Sequence, residues 1–435
     1  MAVLGIINSD PKVRELVETA FKAEKKQNHD LKFLSNKDDI LEFLNYELPE
    51  VVVINFSDPT IPIEDISSHI RDDKWVLNFG VIGLFSAETD NEEALLTKYK
   101  SINVLAFLDN YRLRSHLVKS VEIIEENYQI IFQREFTKNL LDGASGSFIL
   151  DNDLLAVPLY AGIGATILAQ RGLINPDKKM HLQLALDELL INAIEHGNCE
   201  ISYDDKTKAM ENGVSVVELV TEKCKNPKVQ AKRVEFQWDI QQDRSIFTIR
   251  DDGKGFDVKA HLKKIAGQDI MSLHGRGIRV ASMFSQKLEY NEKGNQVSLI
   301  IQHDSSIEHE VPVGFSNEQV IKVKPGDIVL KEGEASDYLY YIASGKYAVY
   351  HNKKKVGSLS PQDIFMGEMS FLLGQKRSAA VRAETPGKLI LLTRKTFVNV
   401  IREYPHYGIF LSKLLAKRLV RSNEQNAILA GQIKV

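Results

Sequence analysis

The hydrophobic pattern of this chain of 435 residues changes character twice, and each change limits the fold of the segment that follows. Residues 1–125 alternate short apolar, β-branched runs with longer amphipathic stretches, which is typical of a parallel sheet covered by helices on both faces. Residues 146–303 open with two helical stretches and then continue as alternating strands. Residues 315–425 consist mainly of short strands divided by turn signals. We therefore predict one domain in each of these segments, with a linker helix over 126–145.

Net charge and targeting signals exclude several function classes. The formal net charge is −4 at pH 7, so no general attraction to nucleic acid or to an anionic membrane is expected. No basic region precedes the first apolar run, and no apolar run reaches the length of a membrane span. Cys199 and Cys224 have no metal-ligand spacing, which favours a reducing compartment. We expect a cytoplasmic protein that engages neither nucleic acid nor membrane.

The first segment resembles the receiver domain of response regulators, with "PEVVVINFSDP" similar to the third strand of that family and the loop after it. Asn55 stands where the phospho-accepting Asp would fall, Asn8 and Ser9 where the acidic pair would fall, and Asp109 where a Lys would fall. Ser86 keeps the small hydroxyl position. An amide is no nucleophile, and Asn8 with Ser9 would be a weak cation site. The resemblance therefore implies a degenerate, unphosphorylated receiver-like domain for docking or dimerisation, although any flavodoxin-like domain would lack the same chemistry.

A long helix is predicted at the end of this segment, over 111–140. Its apolar residues recur at alternating spacings of four and three, as in a short coiled-coil seam. Two explanations stay open: a homodimer through 111–140, or packing of the stripe against the protein's own domain. The residues of the stripe are Leu117, Val121, Ile124, Tyr128 and Ile131.

The second segment follows a small-residue stretch, "LLDGASGSF" at 140–148, that predicts a linker. A partly helical insertion is predicted at 202–230. The other predicted elements are helices at 153–172 and 176–197 and strands at 234–240, 245–250 and 296–301.

The second of these helices contains "ALDELLINAIEHGN", in which Glu188 and Asn192 lie one turn apart on one face. Taken alone, such a pair is most simply a solvated face.

Two glycine-rich turns follow at a distance along the chain. Asp251, Gly253 and Gly255 form D-x-G-x-G at the end of a strand, and Gly275 and Gly277 form G-x-G at the start of a helix. Glycines let the backbone approach a ligand, and a helix N-terminus offers free N–H groups to phosphate. Each turn alone is weak evidence, but the order of the two turns after the Glu–Asn helix indicates a nucleotide site.

This order resembles the ATP-binding domain of the gyrase, histidine kinase and MutL superfamily, and most closely its anti-sigma-factor serine kinase branch. The resemblance implies that Asn192 ligates Mg²⁺, that Glu188 is a general base and that Asp251 binds adenine. The four glycines would line ATP, residues 256–274 would form a lid, and Arg276 or Lys254 would touch phosphate. A histidine kinase would need a phospho-accepting His before this domain; His116 lies far from it, so autophosphorylation is not expected.

The third segment has turn signals at Pro325-Gly326, Glu332-Gly333 and Ser344-Gly345, and "GEMSFLLGQKRSAAVRA" follows its strands. It resembles the cyclic-nucleotide-binding domain. The alternative is a barrel that has lost its ligand.

The resemblance of the third segment implies a contact from Arg377 to the cyclic phosphate and from Glu368 to the ribose hydroxyl. Backbone N–H groups near Gly367, Ser378 and Ala379 would complete the phosphate site. "RSAAVRA" is closer to bacterial cAMP receptors, which favours cAMP over cGMP.

Together these segments predict a multidomain α/β, α+β and β chain: a flavodoxin-like receiver, a Bergerat-type ATP-binding α/β sandwich, and a β-roll with C-terminal helices. The predicted function is a cyclic-nucleotide-regulated, Mg²⁺- and ATP-dependent serine/threonine kinase. Its partner would be a protein such as an anti-anti-sigma-type or sigma-type regulator. Ligand at Arg377 would reposition the helices of "FLSKLLAKRLVRSNEQ" against the lid. The alternatives are an ATP-binding scaffold that sequesters a partner, or a slow ATPase.

Overall fold

A computed structural model describes residues 2–23, 29–132, 144–241, 243–258, 287–304, 311–413 and 415–416. It divides the chain into two units. The first comprises Met1–Phe33, Val51–Pro59 and Gly80–Ile307, and the second comprises Leu34–Glu50, Thr60–Phe79 and Glu308–Val435. The N-terminal segment therefore contributes residues to both units.

The N-terminal strands form a sheet of order β2-β1-β3-β4-β5. The pairs β1–β3, β3–β4 and β4–β5 are parallel, and every residue of β3, β4 and β5 is buried. This is the strand order of flavodoxin-like doubly wound folds, while a relationship to receivers stays a prediction. The strands are β1 (Ala2–Ile7), β2 (His29–Leu34), β3 (Val51–Asn55), β4 (Gly80–Leu84) and β5 (Val104–Leu108).

The helices of the N-terminal segment include two that the sequence pattern did not predict, α3 and α4. Asp109, where the receiver family has Lys, caps α5 by accepting hydrogen bonds from the backbone N–H groups of Tyr111 and Arg112. The helices are α1 (Pro11–Ala23), α2 (Lys37–Glu47), α3 (Ile63–Asp72), α4 (Glu92–Lys98), α5 (Asn110–Glu126) and α6 (Tyr128–Phe132).

The long helix predicted over 111–140 is interrupted at Asn127, between α5 and α6, so the prediction of one continuous helix is wrong. Asn127 folds its side-chain amide back onto the Ile123 carbonyl at 2.8 Å. Residues 133–143 lie outside the described residues. Leu117, Val121 and Ile124 are fully buried within the chain's own core, as is Ile131. This is the intramolecular alternative for the stripe, and dimerisation stays a prediction.

The receiver-like positions contain polar groups that hydrogen-bond to one another or to a nearby carboxylate. Asn55 donates from its amide to Asn8 Oδ1 at 2.8 Å, and both residues are buried. Asp58 accepts from the backbone N–H of Ser9 at 2.6 Å and from its hydroxyl at 2.8 Å. In the part of the chain that the structure describes, no group of three or more His, Cys, Asp or Glu residues is placed to hold a metal.

The middle segment forms an antiparallel sheet of order β6-β7-β8-β10-β9. Its first strand, β6, was not predicted: the stretch 144–148, interpreted as linker, pairs with β7, so the linker interpretation is wrong over these residues. The strands are β6 (Ala144–Leu150), β7 (Val234–Ile240), β8 (Arg244–Asp251), β9 (Lys287–Tyr290) and β10 (Gln296–Gln302).

Helices α7 and α8 pack together and against the N-terminal sheet within the same unit. Gly162 on α7 approaches β5 so closely that an added Cβ would lie 1.9 Å from the Leu105 carbonyl oxygen. Gln183 on α8 donates to that carbonyl at 3.4 Å. The helices are α7 (Val157–Gln170), α8 (Pro176–Asn192), a π-helix (Ala193–Asn198), α9 (Tyr203–Glu211), α10 (Val216–Lys223) and α11 (Pro227–Gln230). The last three confirm a helical insertion at 202–230.

The C-terminal segment is a β-roll of two antiparallel sheets, β11-β18-β13-β16 and β12-β17-β14-β15. Its elements are β11 (Gln319–Val323), β12 (Ile328–Leu330), β13 (Tyr338–Ser344), β14 (Tyr347–His351), β15 (Lys354–Leu359), β16 (Phe365–Met366), α12 (Glu368–Leu373), β17 (Ala380–Ala383), β18 (Gly387–Thr393) and α13 (Arg394–Glu403). Residues 405–413 are helical. Helices of the described ranges are all too short or too polar to cross a membrane.

Trp75, which follows α3, lies in an aromatic cluster of the second unit. The indole ring centroid is 4.5 Å from that of Tyr407 and 5.9 Å from that of Phe365. Asp73, also buried, accepts from the Tyr407 hydroxyl at 2.5 Å. The second unit therefore joins the segment after α3 to the β-roll and to its C-terminal helical stretch.

Candidate functional site

The motif helix α8 ends at Asn192 and continues directly as the π-helix. In a π-helix each backbone hydrogen bond spans one residue more than in an α-helix, and such turns are frequent at functional sites. Its last residue, Asn198, is fully buried; its Oδ1 accepts from the Asp252 N–H at 2.9 Å and its amide donates to Asn152 Oδ1 at 2.8 Å. The end of the motif helix is thereby fixed to the D-x-G-x-G turn.

Asp251 ends β8 and is held in place by its own turn. Its Oδ1 accepts from the Gly253 N–H at 2.8 Å, and its backbone N–H donates to the Asn295 carbonyl at 3.0 Å. A Cβ on Gly197 would lie 2.4 Å from the Asp251 carboxyl carbon, and one on Gly253 would lie 2.4 Å from the Gly197 carbonyl oxygen. Glycine is thus required at both positions by close approach.

Burial raises the pKa of Asp251 to about 6, against an ordinary value of 3.8, although the hydrogen bond from Gly253 opposes the shift. A carboxylate that is half-withdrawn from water and aimed into a cleft is typical of a ligand-binding position. At neutral pH it is still mainly ionised and can accept hydrogen bonds.

These elements surround a cavity of about 600 Å³, within the range of small-molecule sites. Asn192 and Asp251 both line it. Its remaining walls are mainly apolar and aromatic. They are formed by Leu189, Ala193, His196, Gly197, Glu200, Ile201, Ser202, Tyr203, Ile249, Lys254, Gly255, Phe256, Asp257, Tyr290, Gly294, Gln296 and Val297.

The structure brings some of the predicted residues to this cavity and leaves others away from it. Gly255 lines the cavity with a φ of 77°, a conformation that favours glycine. Glu188 lies one turn before Asn192 on α8 and is half-buried, but it is not among the described residues that line the cavity. Lys254 lines it while donating to Glu200 Oε2 at 2.7 Å. Gly275, Gly277, Arg276 and residues 259–274 of the predicted lid lie outside the described residues.

Sequence reasoning missed the aromatic part of the wall. Tyr203 begins the insertion helix α9, and Phe256 and Tyr290 meet edge to face with centroids 5.5 Å apart. The sequence did contain one usable signal: Ser202 and Asp205 have the spacing of a capping box, which marks a helix start. Nothing in the local pattern indicated that this start faces the motif helix.

Asp187 lies beside Glu188 and has an unusual environment. Burial and the nearby charges of Glu92 and Glu188 raise its pKa to about 7. Within the described residues its Oδ1 has no hydrogen-bond partner. The carboxyl group next to the predicted base is thus near its midpoint of ionisation at neutral pH.

The predicted anion site of the β-roll has Arg377 at its centre, with only 3% of the residue exposed. Its Nη1 donates to the Gly367 carbonyl at 2.7 Å and to Ser370 Oγ at 3.0 Å, and its Nη2 donates to the Tyr338 carbonyl. Its Nε is buried without a partner among the described groups. The guanidinium thus retains one unsatisfied buried donor, which fits an anion-binding role.

The neighbouring predicted residues lie around Arg377. Gly367 has a φ of 83°, and a Cβ there would lie 2.5 Å from Arg377 Nη1. Glu368 is the first residue of α12. Ser378 is exposed, with its carbonyl accepting from His351 Nδ1 at 2.9 Å, and Ala379 is half-buried. The arrangement places a buried cation at the start of a short helix, next to a left-handed glycine.

Family models match two parts of the chain. Residues 156–301 match the histidine kinase-like ATPase domain, and residues 320–404 match the cyclic nucleotide-binding domain. This chain joins those two domains. The cavity described above lies within the ATPase domain, and Arg377 lies within the cyclic nucleotide-binding domain.

Individual relatives share only part of the chain. It is 39% identical over 80 residues to the cAMP-dependent protein kinase type II regulatory subunit of Drosophila melanogaster, covering 18% of this chain and 21% of that protein. It is 36% identical over 96 residues to the cGMP-dependent protein kinase of Plasmodium berghei, covering 22% of this chain and 11% of that protein. The Thermus thermophilus catabolite activator protein aligns with a TM-score of 0.26 and 28% identity, over 27% of this chain and 57% of that one. The chain thus spans about a fifth of the first relative and about a tenth of the second.

Proposed function

We propose that this chain is a cyclic-nucleotide-regulated protein kinase that transfers phosphate from Mg·ATP to a serine or threonine of a partner protein. The observation that carries the proposal is the convergence of Asn192 and Asp251 on one cavity of the ATPase domain. One offers an amide oxygen and the other a carboxylate, the groups needed at the two ends of a purine nucleotide. The partner would be a regulator of the anti-anti-sigma or sigma type.

The described residues fit such a nucleotide. Gly197 and Gly253 leave no space for a side chain beside Asp251, so its carboxylate stays at the cavity, where it can accept from the exocyclic amine of adenine. The apolar wall suits a base. Asn192 would contribute one oxygen to Mg²⁺, which in proteins commonly completes its shell with phosphate oxygens and water. When bound, that ion neutralises charge on the phosphates.

Glu188 supplies the remaining role. It lies one turn before Asn192, on the same face of α8, from which a carboxylate accepts the proton of an attacking hydroxyl. A partner's serine would enter beside Glu188, which is half-buried.

The test is Glu188→Gln, with Glu211→Gln on the exposed side of α9 as the matched control. We expect the first variant to bind Mg·ATP with unchanged affinity by calorimetry and to lose ADP formation by about a hundredfold or more. The control should change neither quantity. Unchanged ADP formation in Glu188→Gln would contradict the assigned base.

A second candidate function, an ATP-dependent scaffold, is favoured by one observation: Glu188 is not among the described residues lining the cavity. A scaffold would bind Mg·ATP and capture its partner without forming ADP. Absence of ADP formation by the wild-type chain at saturating Mg·ATP, in the presence of a partner protein that it captures, would favour this function. Slow formation without any protein acceptor would favour an ATPase switch.

Regulation is tested by titrating cAMP and then cGMP into the protein with and without Mg·ATP. We expect binding of cAMP in preference to cGMP. Because coupling between two sites is reciprocal, ATP must shift cAMP affinity by the same factor by which cAMP shifts ATP affinity. Equal cAMP affinity in the presence and absence of ATP would contradict a regulatory role.

A further inference from the structure

The insertion at 202–230 reaches the cavity of the ATPase domain through Tyr203. This residue begins α9, lines the cavity and has 41% of its surface exposed. Its ring centroid lies 4.7 Å from that of His196, which also lines the cavity. Building on the proposed ATP-binding function, we propose that Tyr203 stacks on the purine base and that the insertion is therefore part of the nucleotide site.

The first turn of α9 is fixed to the π-helix by polar contacts. Lys206 donates to Glu195 Oε2 at 2.6 Å, and the Glu195 side chain is only 4% exposed. His196 Nδ1 donates to the Ile201 carbonyl at 2.6 Å. Glu195 and His196 of the π-helix thus hold Lys206 and Ile201, which lie on either side of Tyr203. A ring held in this way loses little further freedom on binding, so stacking is efficient.

The start of α9 has its own local support. The Ser202 hydroxyl accepts from the Asp205 N–H at 3.1 Å, and the Asp205 carboxylate accepts from the Ser202 N–H at 2.9 Å. This capping box satisfies the free N–H groups of the first turn and fixes where the helix begins. Tyr203 is therefore placed by the backbone and does not depend on a ligand for its position.

The neighbours of Tyr203 and its aromatic ring indicate the part of the nucleotide that it would meet. His196, the ring it contacts, directly precedes Gly197, whose Cα lies against the Asp251 carboxylate. Asn192 is one turn earlier on the helix. Tyr203 thus lines the same cavity as Asn192 and Asp251, and the purine base is the part of ATP that can stack on its ring.

The experiment measures Mg·ATP affinity of the full chain by calorimetry for Tyr203→Ala, Tyr203→Phe and the wild type. Met210→Ala is the matched control, since Met210 is on the same helix, is 67% exposed and does not line the cavity. We expect Tyr203→Ala to weaken binding by about 5- to 100-fold, with Tyr203→Phe and Met210→Ala close to wild type.

Three other results would be decisive. Affinity of Tyr203→Ala within about twofold of wild type would overturn the proposal, since stacking contributes more than that. Equal weakening in Tyr203→Phe would assign the contact to the hydroxyl and overturn stacking. A wild-type chain that does not bind Mg·ATP would overturn the proposed function itself, and the stacking role with it.

Discussion

Gly197 on the π-helix and Asp251 at the end of β8 are in van der Waals contact, with no room between them for one further carbon atom. The first residue belongs to the motif helix and the second to the D-x-G-x-G turn, which are separated by the whole insertion. Both residues line the cavity of the ATPase domain, and their contact fixes that part of its wall. It also explains why position 197 is glycine rather than a residue with a side chain.

Gly197→Ala should therefore weaken Mg·ATP binding without unfolding the domain. The new Cβ would lie 2.4 Å from the Asp251 carboxyl carbon, so the carboxylate must move away from its ligand position. Loss of a hydrogen bond to a charged group costs about 1.5–3 kcal/mol, or roughly 10- to 100-fold in affinity. Calorimetry checks this.

Gly213→Ala is the control for a general effect of adding a methyl group. Gly213 has a φ of 72° with no atom near a built Cβ, so alanine there adds backbone strain in the insertion alone. It should lower thermal stability slightly and leave ATP affinity unchanged. Equal affinities of the two variants would contradict the assigned role of Gly197.

ATP affinity should also fall on acidification, because Asp251 must be ionised to accept from the adenine amine. Its pKa is raised to about 6 by burial, so protonation begins well above the ordinary value of 3.8. Mg·ATP affinity should decline as the pH falls through 6. Below the pKa of Asp251 the decline should approach about tenfold per pH unit.

Asp251→Asn separates this effect from titration of the phosphates of ATP. The amide is neutral at every pH, so the variant should bind more weakly at neutral pH and lack the Asp251 component of the pH dependence. If Mg·ATP affinity depended on pH in the same way in Asp251→Asn and in the wild type, the predicted loss of affinity through protonation of Asp251 would be wrong.

The raised pKa of Asp251 has the opposite effect on folding stability, which it increases at low pH. Between about pH 4 and pH 6 the folded state retains a proton that the unfolded chain has released, so the contribution of Asp251 to stability falls as pH rises.

Local patterns predicted much of the fold and part of the site. The alternating apolar pattern over 234–240, for example, gave a strand with the observed bounds. The strand β6 was missed because "ASGSFIL" is rich in small polar residues, and its strand conformation depends on pairing with β7. Gly146 in β6 faces Trp238 so closely that an added Cβ would lie 2.2 Å from the indole. The small residue thus reflects a tertiary contact.

For the site, the sequence identified residues that belong to short motifs with a chemical reason for their spacing. Asn192, Asp251 and Gly255 all line the cavity, while their roles toward a nucleotide stay predictions. Tyr203 and Tyr290 could not be found this way, because their approach depends on how the insertion and β9 pack. The prediction of an uninterrupted helix over 111–140 was wrong for a local reason: the Asn127 side chain donates to the Ile123 carbonyl where α5 ends.

Arg377→Ala should destabilise the cyclic nucleotide-binding domain even without ligand. The guanidinium is buried and donates to the Gly367 carbonyl, Ser370 Oγ and the Tyr338 carbonyl, so its removal leaves buried acceptors unsatisfied. Loss of such charge-assisted bonds should lower the free energy of unfolding by about 1.5–3 kcal/mol. Urea denaturation measures this.

Arg382→Ala provides the comparison, since Arg382 is exposed on neighbouring β17. It should change stability by less than about 0.5 kcal/mol. A similar small change in Arg377→Ala would show that its hydrogen bonds contribute little to folding. Loss of cyclic nucleotide binding in that variant would then be a direct effect on the ligand contact.

Trp75 should report the occupancy of the Arg377 site through its fluorescence. Its ring contacts Phe365, and β16 runs from Phe365 straight into Gly367, whose carbonyl accepts from Arg377 at 2.7 Å. An anion that draws Arg377 away from this carbonyl frees the start of α12 and alters the surroundings of the indole. The chain has two tryptophans, so Trp238→Phe leaves Trp75 as the reporter. Addition of cAMP should change its emission with the midpoint found by calorimetry, and the response should vanish when Arg377→Ala is added. Calorimetric binding with unchanged emission would show that Phe365 and Trp75 do not sense the ligand.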